Sequence, residues 1–525
     1  MKRKTFIERS RKRHVELKKN PKQSPINKKT GFSLVIIFLA LALFEFYSNN
    51  SVMTTWFWIY FALGALIFLP TVLLSFFKFS IPVIPYFATI VKTKKFIELI
   101  KRISRFGKLW EKICILGVFM GFGLAGVDYW SARKLSFLKR ILVLAISAGI
   151  LYLFGSFVAF AIFGPIFSIE ILKPLALPMV IGFVLLGFGG FTFAILLGYG
   201  FISLGSIFTG VQLCPNVAPV LPGVPIPGLG VVIPLVGWIS LGIILVVHEA
   251  SHGLMLSYYM RKIKSVGLFL VGIFPMGAFV EESQKSFESL PDRKKLLILS
   301  AGSAMNLVIV PIAFVAMLLF SIIFVAPFSA QLGALPISMK VSAVDQNVSF
   351  CGVTKQSPSY GKLLPGDQIL SVNGIELKKY SDLNEDSFKD KNVSLGILRD
   401  GNNLAINLSP IVFENIGIKK IGASFEVTAT GAPLPFGYSL LSNFYQSILW
   451  ILLLLWLLSF AVGSFNYIPV SIFDGGRMSK IILLPYFGFL KMSKDDTERF
   501  IGRLFLWLFI GALLLNLIPY FTMVF

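Results

Sequence analysis

Apolar runs long enough to cross a bilayer recur along this chain, and they constrain its fold more than any other feature. Residues 141–165 hold no charged side chain, and residues 231–258 hold one. About 20 apolar residues in a helix cross the hydrocarbon core of a membrane. With 55% of 525 residues hydrophobic and 14% charged, the chain cannot hide its apolar surface in soluble cores, so a soluble globular protein is excluded. The runs 32–48, 52–79, 141–165, 176–208, 231–258, about 296–326, 438–463 and 500–525 read as membrane helices. The Gly-rich run 113–129 is barely long enough, so it either spans or dips into the bilayer.

The formal charge of +23 is unevenly placed. Residues 1–31 form a basic tail with twelve Lys/Arg and two Glu, beside the first span. Residues 91–112 carry eight Lys/Arg and two Glu, and Phe96, Leu99, Ile100, Ile103, Phe106, Leu109 and Trp110 recur at helical spacing. That pattern predicts an amphipathic basic helix against an anionic lipid face. The positive-inside rule puts the tail in the cytoplasm. Without interleaved aromatics, the tail favours lipid contact over specific nucleic-acid binding.

Residues 209–230 carry five prolines and no charge, so no continuous helix forms there. The apolar stretch 266–280 is interrupted by Gly267, Gly272, Pro275 and Gly277. It reads as a re-entrant hairpin between the basic groups Arg261–Lys264 and Arg293–Lys295, which mark the cytoplasmic side. A helix from outside to inside at 231–258 needs an odd number of earlier crossings. The four long runs before it leave that count open unless 113–129 is a fifth span.

Composition changes sharply over 335–430, with ten Lys/Arg and ten Asp/Glu between Lys340 and Glu426. Strand-like alternation at 393–398 and turn signals at Asn373-Gly374 and Asp400-Gly401 predict one small β-rich soluble domain. Its three Asn-x-Ser sequons (Asn347, Asn392, Asn407) fit a location outside the cytoplasm. Three cysteines (Cys114, Cys214, Cys351) are too few for a disulfide framework.

The chemistry concentrates in His248-Glu249-Ala250-Ser251-His252, which holds two of the chain's three histidines. On a helix, residues i and i+4 share a face, so both imidazoles can ligate one zinc ion while Glu249 takes a proton from an attacking water. The motif lies inside an apolar helix, where polar groups are costly and functional by default. A midplane metal-transport site is the competing reading; internal repeats of the kind transporters show are not seen. A third protein ligand is needed. Asp474, the only acidic residue between Glu426 and Asp495, either supplies it or caps a short helix at 475–484.

Four motifs in order give a resemblance to the site-2 protease family of intramembrane zinc metalloproteases. They are His248-Glu249-x-x-His252, Gly277-Ala278-Phe279-Val280, Ala301-Gly302-Ser303-Ala304-Met305-Asn306, and Asn466-x-x-Pro469-x-x-x-x-Asp474-Gly475. Ser303 stands where the family carries Pro. The resemblance covers about 210–485 and leaves residues 1–200 as an added membrane region. It implies zinc held by His248, His252 and Asp474, with Glu249 as general base. Asn306 and Asn466 would hold substrate backbone or bond near the metal, and Gly277, Ala278 and Phe279 would present a strand edge to an unwound substrate helix. The stretch Ser357 to Gly374 resembles the signature of a PDZ domain, a binder of extended peptide by strand addition or else a folded spacer.

The expected fold is thus a polytopic α-helical membrane protein with a metalloprotease core, a re-entrant hairpin and a small β-rich PDZ-like domain. The expected segments are 1–31 (tail), 32–208 (added membrane region), 209–334 and 431–525 (the two halves of the core), and 335–430 (PDZ-like). The implied activity is hydrolysis of membrane-anchored protein substrates within their transmembrane segments. A non-proteolytic scaffold of the same fold is the alternative.

Overall fold

The computed structural model describes most residues from 80 to 524; of residues 1–79 only Ile37 and Ala40 are described, and among the later gaps the longest are 225–231, 384–387, 414–417 and 431–435. Apart from those two residues, the basic tail and the spans expected at 32–48 and 52–79 lie outside the described residues. The chain divides into two units, one holding residues up to Arg102 together with Arg261–Gln284, the other holding the rest.

The smaller unit is an antiparallel sheet in the order β1 (Ser80–Ile84), β2 (Ala88–Thr93), β3 (Ser265–Val271) and β4 (Phe274–Glu281). The stretch expected as a re-entrant hairpin is the β3–β4 pair, with Gly267 opposite Phe279 and Leu268 opposite Ala278. Glycine and Pro275 disfavour a helix here, and the β-branched and aromatic residues between them suit a pleated strand. Lys92 on β2 donates to Glu281 at 3.0 Å, as does Ser265 Oγ at 2.6 Å. Residues 91–112 are therefore not one amphipathic helix. The chain is extended through Thr93, turns helical as α1 (Ile97–Ile103), and continues after a short 3-10 turn as α2 (Gly107–Val127). Backbone pairing of Ala88–Thr93 with β3 takes only the start of the stretch into the sheet, and the helical spacing of the apolar side chains further on is realised in α1, the 3-10 turn and α2.

The larger unit contains α2, α3 (Phe137–Phe167), α4 (Ala176–Thr209), α5 (Gly237–Met260), α6 (Asp292–Phe320), α7 (Phe436–Phe465), α8 (Asp474–Ile482) and α9 (Lys494–Asn516). Among the described residues, seven helical runs are long and apolar enough to cross a membrane, and one of them includes 113–129. Helix α6 is the hub, packing against α2, α5, α7 and α8. Helix α2 thus belongs to the core packing, although it precedes the segment that carries the motifs.

Residues 337–429 build a six-stranded sheet in the order β11 (Asn402–Leu408), β10 (Val393–Arg399), β8 (Gln368–Val372), β5 (Ile337–Val344) and β14 (Ala423–Ala429), with β9 (Ile375–Glu376) on β8. Alternate residues Val393, Leu395 and Ile397 are fully buried with Met339, Val341, Ile369 and Leu408, as a period of two requires. The turns at Asn373-Gly374 and Asp400-Gly401 both adopt positive φ, the conformation that Asn-Gly and Asp-Gly hairpins favour. Two side hairpins interlock: β6 (Asn347–Phe350) with β7 (Val353–Gln356), and β12 (Ile411–Phe413) with β13 (Ile418–Lys420). Lys355 lies over the Phe413 ring and Lys420 over the Phe350 ring.

A disulfide joins Cys214, in the loop after α4, to Cys351 at the tip of the β6–β7 hairpin, with Cα atoms 4.8 Å apart. Too few cysteines for a framework still sufficed for one tether, which closes 137 residues of chain. Denatured protein is expected to expose one reactive thiol before reduction, Cys114, and three after it. Three thiols without reduction would contradict the tether.

In the β domain, Arg399 grips the buried Asp367 carboxylate through two contacts of 2.7 and 2.6 Å, and the Leu364 amide donates to it at 2.8 Å. The Arg399 hydrogen bonds, opposed by burial and helped by the Leu364 amide, hold the Asp367 carboxyl below its usual value. The stabilisation is therefore present above the unfolded-chain value of about 3.9 and is lost as pH falls through the lower folded value. Asp367→Ala should destabilise the β domain by roughly 1.5–3 kcal/mol at neutral pH, measurable by proteolytic susceptibility of this segment. The gap between variant and parent should narrow in strong acid.

Candidate metal centre

Helix α5 runs from Gly237 to Met260, which places His248 about 17 Å from either end. His248 and His252 face α6, which supplies them with partners. The Ile298 carbonyl accepts from His252 Nδ1 at 2.7 Å, and the Asn306 amide meets His248 Nδ1 at 3.1 Å. Both Nε2 atoms then point into the same space, 3.2 Å apart.

Asp474 enters that space from the start of α8. The cap position of this helix is Phe473, without a side-chain cap bond, so Asp474 is not the helix cap. Its Oδ2 lies 3.1 Å from His252 Nε2 and 3.3 Å from His248 Nε2. Among the described residues this is the one group of three His, Cys, Asp or Glu donors drawn close enough to share an ion. Ligands about 2.0–2.2 Å from a tetrahedral ion sit about 3.3 Å from one another, so the spacing fits a metal. Gly302 supplies the floor: a Cβ there would lie 2.5 Å from His252 Nε2 and 2.6 Å from His248 Nε2. Space kept open beside three converging donors is what a bound ion requires. Glu249 is half-buried on α5 beside His248.

The outer partners set the tautomers. An imidazole that turns the Nε2 lone pair inward carries its proton on Nδ1. His252 then donates to Ile298. Asn306 is wholly buried and its Oδ1 has no partner; rotated by half a turn, the amide accepts the His248 Nδ1 proton through that oxygen.

Of the other candidates, Asn466 turns its amide back to the Val462 carbonyl at 3.0 Å, and its own carbonyl accepts the Gly475 amide at 2.7 Å. Gly277, Ala278 and Phe279 lie in β4. Gly302 and the Ile298 carbonyl were missed as parts of the centre. The available signal was a glycine in a helix interior, costly unless something must approach closely.

The segment 236–509 matches the family model of peptidase family M50. This chain belongs to peptidase family M50, the site-2 protease family. A curated relative, an uncharacterized protein of Methanocaldococcus jannaschii, is 27% identical over 314 residues, covering 59% of this chain and 72% of the relative. A membrane-bound transcription factor site-2 protease homolog of Arabidopsis thaliana is 28% identical over 156 residues, 28% of each chain. The family assignment makes this a membrane metallopeptidase, and the His248–His252–Asp474 triangle is a group that could hold a metal ion.

Two substitutions separate these contributions. Asn306→Leu removes the partner of His248 and should weaken metal binding about 10–100-fold. Gly302→Val fills the donor space and should abolish binding. Isothermal titration of purified protein with zinc measures both.

Proposed function

We propose that this protein is a zinc endopeptidase that hydrolyses peptide bonds within the transmembrane segments of membrane-anchored proteins. The observation that carries the reading is the convergence of His248 and His252, midway along the apolar helix α5, with Asp474 at the start of α8, and with Glu249 adjoining. Two imidazoles and one carboxylate are the donor set of a catalytic zinc that keeps a position open. When bound, zinc supplies a Lewis acid that polarises the scissile carbonyl.

The chain's own residues do the rest. Glu249 takes a proton from the attacking water and passes it to the leaving amine. Ile298 and Asn306 hold the two imidazoles in the tautomer that the centre needs. A substrate helix has its peptide groups satisfied internally, so it must be unwound before attack. Among the described residues, strand β4, with Gly277, Ala278 and Phe279, is the terminal strand of its sheet. Its edge can take up the extended form by strand addition. Asn466 would serve substrate through its unwound loop. Residues 335–430 act as a PDZ-like domain, which selects substrates by their extended ends. The disulfide supports an extracytoplasmic place for this domain, since such bonds persist in oxidising compartments. The basic tail 1–31 faces the cytoplasm, where anionic lipid attracts it.

Glu249→Gln is expected to keep zinc and lose cleavage of a reconstituted single-span substrate by at least about 100-fold. Asp474→Asn should weaken zinc binding itself. Normal turnover by purified Glu249→Gln protein would sink the assignment.

A further inference from the structure

We propose that Tyr467 is a positioning residue for Asp474, and that the upstream helices α2 and α4 are thereby part of the metal centre. This rests on the metal reading above. Tyr467 is wholly buried in the loop between α7 and α8. Its ring fills a notch on α2. A Cβ on Gly121 would overlap the ring, and a Cβ on Gly117, one turn earlier, would lie 2.8 Å from the hydroxyl. The Tyr467 carbonyl is clasped on two sides. A Cβ on Gly189 of α4 would come within 2.5 Å of it, and one on Gly475 would overlap it. Gly475 follows Asp474 directly and donates its amide to the Asn466 carbonyl at 2.7 Å. The notch fixes the ring, the ring fixes the carbonyl, and the carbonyl fixes the turn that aims Asp474.

The same notch references the histidines. Gly117 also receives Ala304 of α6, where an added Cβ would lie 2.5 Å from the Ala304 Cβ. Ser300, one turn before Ala304, donates to the Cys114 carbonyl of α2 at 3.0 Å. Residues 298, 302 and 306 of α6 meet the histidines. Helix α2 therefore sets both the α6 partners and the Asp474 loop.

The cradle itself is stiff. Helices α2 and α4 are each broken at one glycine, Gly123 with φ +50° and Gly187 with φ +56°. The breaks meet backbone to backbone. A Cβ on Gly123 would lie 2.5 Å from the Val184 carbonyl oxygen, and one on Gly187 would overlap the Met120 carbonyl. Close helix approach through small residues is how membrane helices lock without a hydrophobic driving force.

The test measures zinc affinity and the visible spectrum of cobalt-substituted full-length protein in detergent, with melting of the zinc-free form as the folding control. Gly121→Ala and Tyr467→Ala should each weaken zinc binding about tenfold or more, the scale of outer-shell effects. Each should also shift the cobalt bands, a change that loss of stability alone does not cause. Because both act through one contact, the double variant should bind no worse than the weaker single. Tyr467→Phe, which keeps the ring, should stay close to wild type. Tyr467→Leu adds no bulk and replaces any variant that fails to fold. A folded Gly121→Ala or Tyr467→Leu protein with wild-type affinity and cobalt spectrum overturns the proposal. Wild-type protein that takes up no zinc overturns the metal reading beneath it instead.

Discussion

Two imidazoles and a carboxylate cannot stand together inside an apolar bundle without something to hold. Moving such groups out of water costs several kcal/mol unless they are paired or bind a metal. His248, His252 and Asp474 nonetheless lie within 3.3 Å of one another, and much of the surrounding packing serves that meeting. Helix α6 supplies the outer partners through Ile298 and Asn306, and it leaves room through Gly302. Helix α8 begins at Asp474 because the loop before it is folded tightly around Tyr467 and Gly475.

The activity follows from how few polar groups remain at that depth. The two imidazoles each have a partner that limits what they can do. His252 is committed to the Ile298 carbonyl and His248 to Asn306, so both present one nitrogen inward. Asp474 is 222 residues from His252 in sequence and comes from the opposite half of the core. The β domain inserted between those halves is tied back to the α4–α5 connection by Cys214–Cys351, which limits how far it can swing from the bundle.

Much of this was legible in the sequence because the signals are local. The i, i+4 spacing of His248 and His252 predicts one helical face whatever the fold. A lone acidic residue beside two glycines, after a proline-broken helix, marks Asp474. The Asn-Gly and Asp-Gly turns of the β domain appear where their dihedral preferences require them. What was not legible depends on distant pairing. Residues 97–110, whose apolar side chains recur at helical spacing, are helical, but Ala88–Thr93 join β3 by backbone bonds, and nothing in that short stretch announces a partner more than 170 residues away. The Cys214–Cys351 bridge could not be read from spacing. Helix α2 looked like an added membrane segment because Gly117 and Gly121 acquire meaning only when Tyr467 is placed against them.

On the proposed reading, these three side chains hold one metal ion. Zinc-edge X-ray absorption on the purified, detergent-solubilised protein tests it most directly. One zinc per chain is expected, with two imidazole shells and one carboxylate oxygen at about 2.0–2.2 Å, and with one imidazole shell lost in His252→Ala protein. A chain without zinc, or zinc whose spectrum keeps both imidazole shells in that variant, would contradict it.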